Sequence, residues 1–481
     1  MTSEIDIDDE HPELSPFAYP IIYDGSETNG CSNDNQMKKS LEDEHLKVSP
    51  SSSVIGTEKE TPQDKHCFQI TSSSQNDQDN NLRAFFYKGL KALLSDPHFL
   101  LLYVPEDGTK MQVVRPATDA YHRKRMAERV KKAKGIPSFY YVLSHIWGLT
   151  ENNRYYWNDI SEYVNDEEGQ PMEPVSMRPE KRDTLLRLLE DHPDSYWWID
   201  VLCARSDTPL DIMGDIYSCC LECVAMIDCE PSLIPQLHFM KSARDIFPCI
   251  NWNHCKVAAR DVLLRFRDLY LARYPQLYDT LRSLMQSQWW KRVWTWQEMA
   301  LPFGDVRLMA ETGTHRRLSS TITLDELLIN YSNVVQAITS MADVGLLFYG
   351  NSDERFNAWD MLFWRNQILN ARKANKHRIE KGSPWEILSL FDSFSKSRRR
   401  CMEPVDYVYG VLGIFQFKIP RMKDPNEVWK LFLSELEKYL ENMEGAQGRR
   451  FSLSPSAYCV KLQEAKDMSD IYQSFIAFTL G

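Results

Sequence analysis

Between residues 139 and 227 the chain alternates short apolar runs with amphipathic stretches, and this rhythm limits its fold more than any other feature. FYYVLSHIW (139–147) is aromatic and branched, stops at Gly148, and reads as a strand. Pro179 opens EKRDTLLRLLEDH, whose leucines share one helical face, and His192-Pro193 closes it. YWWIDVLC (196–203) is a continuous apolar run, the form taken by a strand buried on both faces. In SDTPLDIMGDIYSCC, Asp207 or Thr208 is read as the N-cap, Pro209 as the first helical residue, and Asp211 completes a capping box with Thr208. ECVAMI (222–227) is again a buried strand, DVRLMA (305–310) a further one, and HFLLLYV (98–104) a strand or buried segment. Strand, helix, strand, helix, strand is the signature of an α/β fold, a parallel sheet flanked by helices.

The rest of the chain divides by composition. Residues 1–81 mix Ser, Asp, Glu, Asn and Pro, which bury too little to offset ordering entropy, and read as a disordered acidic tail. Residues 82–135 form a helical and basic lead-in, LRAFFYKGLKALL followed by HRKRMAERVKKAKG (122–135), whose seven Lys and Arg read as a solvated helix face. Residues 136–324 hold the α/β domain, with helix expected over 260–300. Residues 325–481 form a mainly helical C-terminal domain, including PNEVWKLFLSELEKYLENM. The net charge of −12 resides entirely in residues 1–80, where seventeen Asp and Glu face five Lys and Arg. The body is neutral and gives no support to nucleic-acid binding. Eleven scattered cysteines and an N-terminus reading MTSEIDIDDE point to a reducing, cytoplasmic setting, with a nuclear one left open. No apolar run approaches the roughly 18 residues of a membrane span.

Several chemistries are excluded. Neither GxxxxGK[ST] nor GxGxxG occurs, which argues against an ATPase or a dinucleotide-dependent dehydrogenase. Cys219, Cys220, Cys223 and Cys229 lie close together, and Cys249, His254 and Cys255 follow, but no second CxxC completes a zinc set. They read as small buried apolar residues, so neither a metal nor a cofactor is expected. Ser144, His145 and Asp200 suggest a triad, yet neighbours on a strand face opposite sides, so Ser144 and His145 cannot pair.

SQWWKRVWTWQEMALP (287–302) carries four tryptophans and a lone carboxylate, Glu298. Ser287 can cap and Pro302 can stop one helix, with Trp289, Val293, Trp296 and Ala300 on its core face. Trp290, Trp294 and Glu298 then follow on a neighbouring face, so Glu298 stacks beside the indole of Trp294. Two readings stay open. Either Glu298 merely ends a core helix, or it is a carboxylate desolvated by aromatic surface, with its pKa pushed up. They separate on whether Glu298, Asp200 and Ser144 line one pocket. For Asp200 a structural hydrogen bond to a loop stands beside the functional reading.

YYVLSHIWG (140–148), WWIDVLC (197–203), MGDIYSCC (213–220) and RVWTWQE (292–298) resemble, in order, the blocks of the heterokaryon-incompatibility (HET) domain of filamentous fungi. EPVDYVYGVLGI (403–414) resembles the segment that often follows it. The chain departs from that pattern at His145, at Ala204-Arg205-Ser206 and at Cys220. The HET domain is in turn similar to TIR domains, whose sheet is flavodoxin-like and several of which cleave NAD at the nicotinamide glycosidic bond. The resemblance therefore implies a flavodoxin-like, TIR-like sheet, with Ser287, Trp289 and Glu298 standing where TIR domains carry S-x-W and their catalytic carboxylate. It implies Glu298 as the catalytic group, with Ser144, Trp147, Asp200 and Trp294 around the substrate. It also implies NAD as substrate, self-association, a protein partner in non-self recognition, and a cell-death outcome in innate immunity. A non-enzymatic self-associating module is the alternative.

Overall fold

The computed structural model describes residues 72–148, 155–237, 277–313, 320–329, 364–375, 384–397, 399–447 and 464–472. The chain comprises two units, Met1–Gln75 and Asn76–Gly481; in the first, only the helical residues 72–75 are described. The acidic stretch 1–71, the helix expected over 260–276, and Cys249, His254 and Cys255 lie outside the described residues.

An eight-stranded sheet organises the second unit. Its strands are β1 (Leu101–Val104), β2 (Met111–Val114), β3 (Tyr140–His145), β5 (Val164–Asn165), β7 (Ser195–Ile199), β8 (Glu222–Ile227), β9 (Val306–Ala310) and β10 (Thr321–Thr323). A separate hairpin pairs β4 (Tyr156–Trp157) with β6 (Val175–Ser176). The order across the sheet is β10-β9-β8-β3-β7-β1-β2-β5. β3 runs parallel to β7 and to β8, and β8 runs parallel to β9. Counted along the chain, these four central strands lie in the order 2-1-3-4 of flavodoxin-like sheets, with the chain reversing its direction of travel at β3. Each expected strand is present, and β2, β4, β5, β6 and β10 add to them: ECVAMI is β8 residue for residue, and every residue of β7 is buried.

Antiparallel pairs flank these four strands, and β5 adds a parallel pair with β2 at one edge. β1 pairs with both β2 and β7, and β10 pairs with β9. The β1–β2 turn was unexpected, although Asp107-Gly108 between LLYV and MQVV is a hairpin signal, and Gly108 has the positive φ of 69° that such turns need.

Among the helices, α1 (Ser72–Leu93) begins upstream of Leu82, where the apolar periodicity starts, and packs Phe86, Leu90 and Leu93 into the core. The basic stretch is α2 (Ala120–Lys132), capped by Asp119, with Met126 its buried residue and Arg125 and Arg129 both paired to Asp194. α3 (Pro179–Glu190) has Pro179 at its start, as expected. α4 (Asp200–Cys203) follows β7 directly, so YWWIDVLC is half strand and half helical turn.

The capping-box expectation fails, because α5 spans Ile212–Ser218 rather than starting at Pro209. The Thr208 hydroxyl looks backwards instead, accepting the Arg205 amide at 2.8 Å and closing a turn upstream of the helix. Downstream come α6 (Leu277–Met285), α7 (Thr295–Ala300), α8 (364–375), α9 (Pro384–Ser395), α10 (Asp406–Phe415) and α11 (Pro425–Gln447).

α10 packs tightly against α5 and the segment that leads into α7. A Cβ on Gly413 would stand 2.5 Å from the Gly214 Cα of α5, and one on Gly410 would stand 2.8 Å from Val293. Only glycine lets backbones approach so nearly.

The helix expected over 287–302 is two pieces. A 3-10 turn covers Gln288–Lys291, Arg292 is extended, and α7 begins at Thr295. The break has a tertiary cause. Arg400 forms a parallel bridge with Arg292, and its carbonyl takes the Val293 amide at 2.9 Å, an amide that a continuous helix would have bonded internally.

Candidate functional site

β3 ends at the point where the strand order reverses, the crevice where open α/β sheets bind ligands. Its last two residues, Ser144 and His145, point to opposite faces and each meets a carboxylate.

Ser144 donates its hydroxyl to Glu298 Oε2 and accepts the Trp289 indole N–H at 2.7 Å. Ser144 is 1% exposed and Glu298 5% exposed. Among the described residues, Glu298 Oε1 has no hydrogen-bond partner. Burial pushes the Glu298 carboxyl above its ordinary value, and the Asp200 charge adds to that; Arg292, the Ser144 hydroxyl and Arg399 pull the other way. Trp289 is held by Asp228, one residue past β8, whose carboxylate accepts the Gln288 and Trp289 amides at 2.9 and 3.0 Å.

On the other side, Asp200 accepts from His145 Nε2 at 2.9 Å, from Trp147 Nε1 at 2.6 Å and from the Val201 amide at 2.7 Å. Desolvation acts to raise the Asp200 carboxyl, but His145, the Trp147 indole and Arg292 outweigh it and hold the group below its ordinary value. Burial pulls His145 down, against the pull of Asp200. Arg292 donates to the His145 carbonyl at 2.7 Å, and its charge lowers both carboxyls.

Beyond His145 lies Lys181 of α3, wholly buried, which donates to the Ile146 carbonyl and sits 3.1 Å from Glu311 Oε2, with Arg178 also paired to Glu311. Burial, then the charges of Arg178 and Arg292, lower the Lys181 ammonium.

Ser144, Glu298, Asp200 and Trp147 are thus brought to one end of the sheet. Solvent reaches the group at the Asp200 side chain, 20% exposed, and at Trp147, 43% exposed, while Ser144 and Glu298 lie beneath the surface. A cavity of ≈ 270 Å³ lies elsewhere, between the β1–β2 turn and α3, lined by Val104, Met111, Leu186 and Leu189 among others.

Trp294 is the exception among the expected residues. It stands one helical turn before Glu298 at the start of α7, but its indole bonds Asp406. The indole beside the carboxyl is that of Trp289, expected from periodicity to be packing alone. Trp290 and Trp296 are core: Trp290 packs edge-on to Trp364 and Trp296 to Phe394.

Sequence reasoning also missed Arg292, Asp228, Lys181 and Arg399. Arg292 stood inside a quoted block but broke no pattern. The others join the site only through the fold, Arg399 from about a hundred residues downstream. Among the described residues no group of three or more His, Cys, Asp or Glu is arranged to hold a metal ion.

Residues 140–298 match the family model described as heterokaryon incompatibility protein (HET). The match opens on the first residue of β3 and closes on Glu298. No curated protein and no solved structure matches the chain.

Proposed function

Residues 140–298 are a HET domain, and from that premise we propose that the chain is an effector of heterokaryon incompatibility, a cytoplasmic protein that triggers cell death after non-self recognition. Its proposed reaction is hydrolysis of NAD to nicotinamide and ADP-ribose, in which the bond from ribose C1′ to nicotinamide breaks, water adds at C1′ and a proton is released, with Glu298 as the reacting carboxylate. The observation that carries the reaction is the state of Glu298: buried, anchored through one oxygen by Ser144, with the other oxygen unpartnered among the described residues. The chemistry asks for little more. Nicotinamide leaves as a neutral ring from a cationic one, so no general acid is required, unlike ordinary glycoside hydrolysis. A fixed carboxylate that meets ribose hydroxyls and faces the oxocarbenium-like transition state supplies the electrostatic stabilisation. Trp147 offers a partly exposed ring for the substrate to lie against, and Asp200 orients that ring. In this reading, self-association and a protein partner bring the domain to its active state.

NAD loss is measured with the purified chain, free and artificially clustered. Glu298→Gln is expected to abolish it, and equal rates for the two proteins would remove Glu298 from the role.

Burial also favours a second reading. Ser144 and Glu298 satisfy one another beneath the surface, as a structural pair in a non-enzymatic interaction module would. That reading expects no nucleotide turnover by any form of the protein and cell killing that survives Glu298→Gln.

A further inference from the structure

α7 carries Glu298 yet spans only Thr295–Ala300, too short to be stable by itself. What holds it comes largely from beyond residue 298. At its C-terminal end, where helix carbonyls lack internal partners, Arg372 donates to the Met299 carbonyl at 2.7 Å and Asn375 to the Leu301 carbonyl at 2.8 Å. In its middle, Gln297 donates to the Tyr409 carbonyl of α10 at 2.6 Å. At its N-terminal end sits Arg399. Its Nη1 donates to Thr295 Oγ1 and, at 3.0 Å, to the Arg292 carbonyl, Nη2 lies 3.6 Å from Met299 Sδ, and the guanidinium covers the Trp296 ring at 4.4 Å.

Burial pulls the guanidinium down to about 9, still protonated at neutral pH, with the Glu298 charge acting in the opposite sense. Arg399 is thus a partly buried cation seated on the helix that carries Glu298. Arg399 in turn favours the ionised form of Glu298. The other charged or titratable groups facing Glu298 are Arg292, Asp200, Tyr217 of α5 and Cys223 of β8.

We propose that Arg399 is a positioning residue for Glu298, and that the segment following the HET domain, by seating the short helix that carries Glu298, sets the placement of that carboxyl. Its consequence for catalysis rests on the reading of Glu298 as the reacting group; the link between the two side chains does not. A displacement of residues 399–414, by a partner or by assembly, then changes the carboxylate without touching the sheet.

The test uses the full chain labelled with ¹³C at glutamate side-chain carboxyls, the Glu298 signal being assigned by its loss in Glu298→Gln. Arg399→Gln, by releasing the helix and removing a cation that favours the ionised form, is expected to move the Glu298 titration upward, whereas Arg399→Lys keeps most of the wild-type value. An unchanged titration in Arg399→Gln overturns the proposal. If Arg399→Gln does not fold, Thr295→Val removes the acceptor that seats the guanidinium; a smaller upward shift supports the proposal, and no shift overturns it. In parallel, NAD turnover by Arg399→Gln is expected to show kcat reduced roughly tenfold or more with KM retained, as displacement of a reacting group does. If the wild type does not cleave NAD, the proposed reaction falls while the titration still decides the role of Arg399.

Discussion

Removing one oxygen atom, by Ser144→Ala, tests the central geometry most directly. Ser144 Oγ is the acceptor for the Trp289 indole N–H and the donor to Glu298, and all three side chains are buried. Alanine keeps the strand but strands both partners. Each buried polar group left without its bond costs about 1–3 kcal/mol. The carboxyl can limit its share by taking up a proton, which leaves an expected loss of about 2–4 kcal/mol at neutral pH. Because the Ser144 hydrogen bond is one of the influences that lower the carboxyl, the Glu298 titration should also rise. The measurement is urea denaturation of the full chain, repeated in the Glu298→Gln background. There the stranded acceptor is a neutral amide, so Ser144→Ala should cost less, with a coupling of about 1 kcal/mol between the sites. A Ser144→Ala protein within about 0.5 kcal/mol of wild type, the range of an ordinary surface change, and with an unmoved Glu298 titration would refute the reasoning.

Glu298→Gln itself has a pH signature. The folded carboxyl is raised above its ordinary 4.5, so the folded protein binds that proton more tightly than the unfolded chain, and the stabilisation present in acid is lost as pH rises through the folded value. Denaturation at several pH values should therefore show wild type losing ground to Glu298→Gln from about 4.5 upward; parallel curves would contradict it. Asp200 has the opposite sign, being held below its ordinary 3.8. Asp200→Asn should cost about 1.5–3 kcal/mol at pH 7, and the gap should close as pH falls below 3.8 and through the folded value, where a constant gap would count against the hydrogen-bond account. Gly413→Ala would place a Cβ 2.1 Å from Gln297 Oε1 and 2.5 Å from the Gly214 Cα, an overpacking worth about 1–3 kcal/mol. Gly135→Ala meets nothing within 4 Å and should fall within about 0.5 kcal/mol of wild type; equal effects at the two glycines would argue that α5, α7 and α10 are not packed so closely.

The strands were legible because burial on both faces leaves a simple trace. A parallel strand under helices must be apolar throughout, and SYWWI and ECVAMI are nearly that. Pro179 was legible as a helix start because its missing N–H costs nothing at that position. Asp200 and Ser144 were placed at strand ends by the same patterns. Thr208 shows the limit, since the same hydroxyl can close a turn or cap a helix, and here it closes the turn at Arg205. Trp289 shows a deeper one. Its assignment assumed an unbroken 3.6-residue period, and nothing within 287–302 announces that Arg400 will take the Val293 amide.

Alone, then, the sequence settled the α/β alternation, the strands that end at the crevice, and the residue types available there, because hydrophobic period and proline chemistry act over a few neighbours. The tertiary structure decided which indole joins Ser144 beside the carboxyl, that Arg292 bonds the end of β3, and that Arg399 and α10 hold the short helix carrying Glu298. Those contacts join residues far apart in the chain, and a backbone amide or a buried charge accepts whichever partner the whole fold brings within about 3 Å.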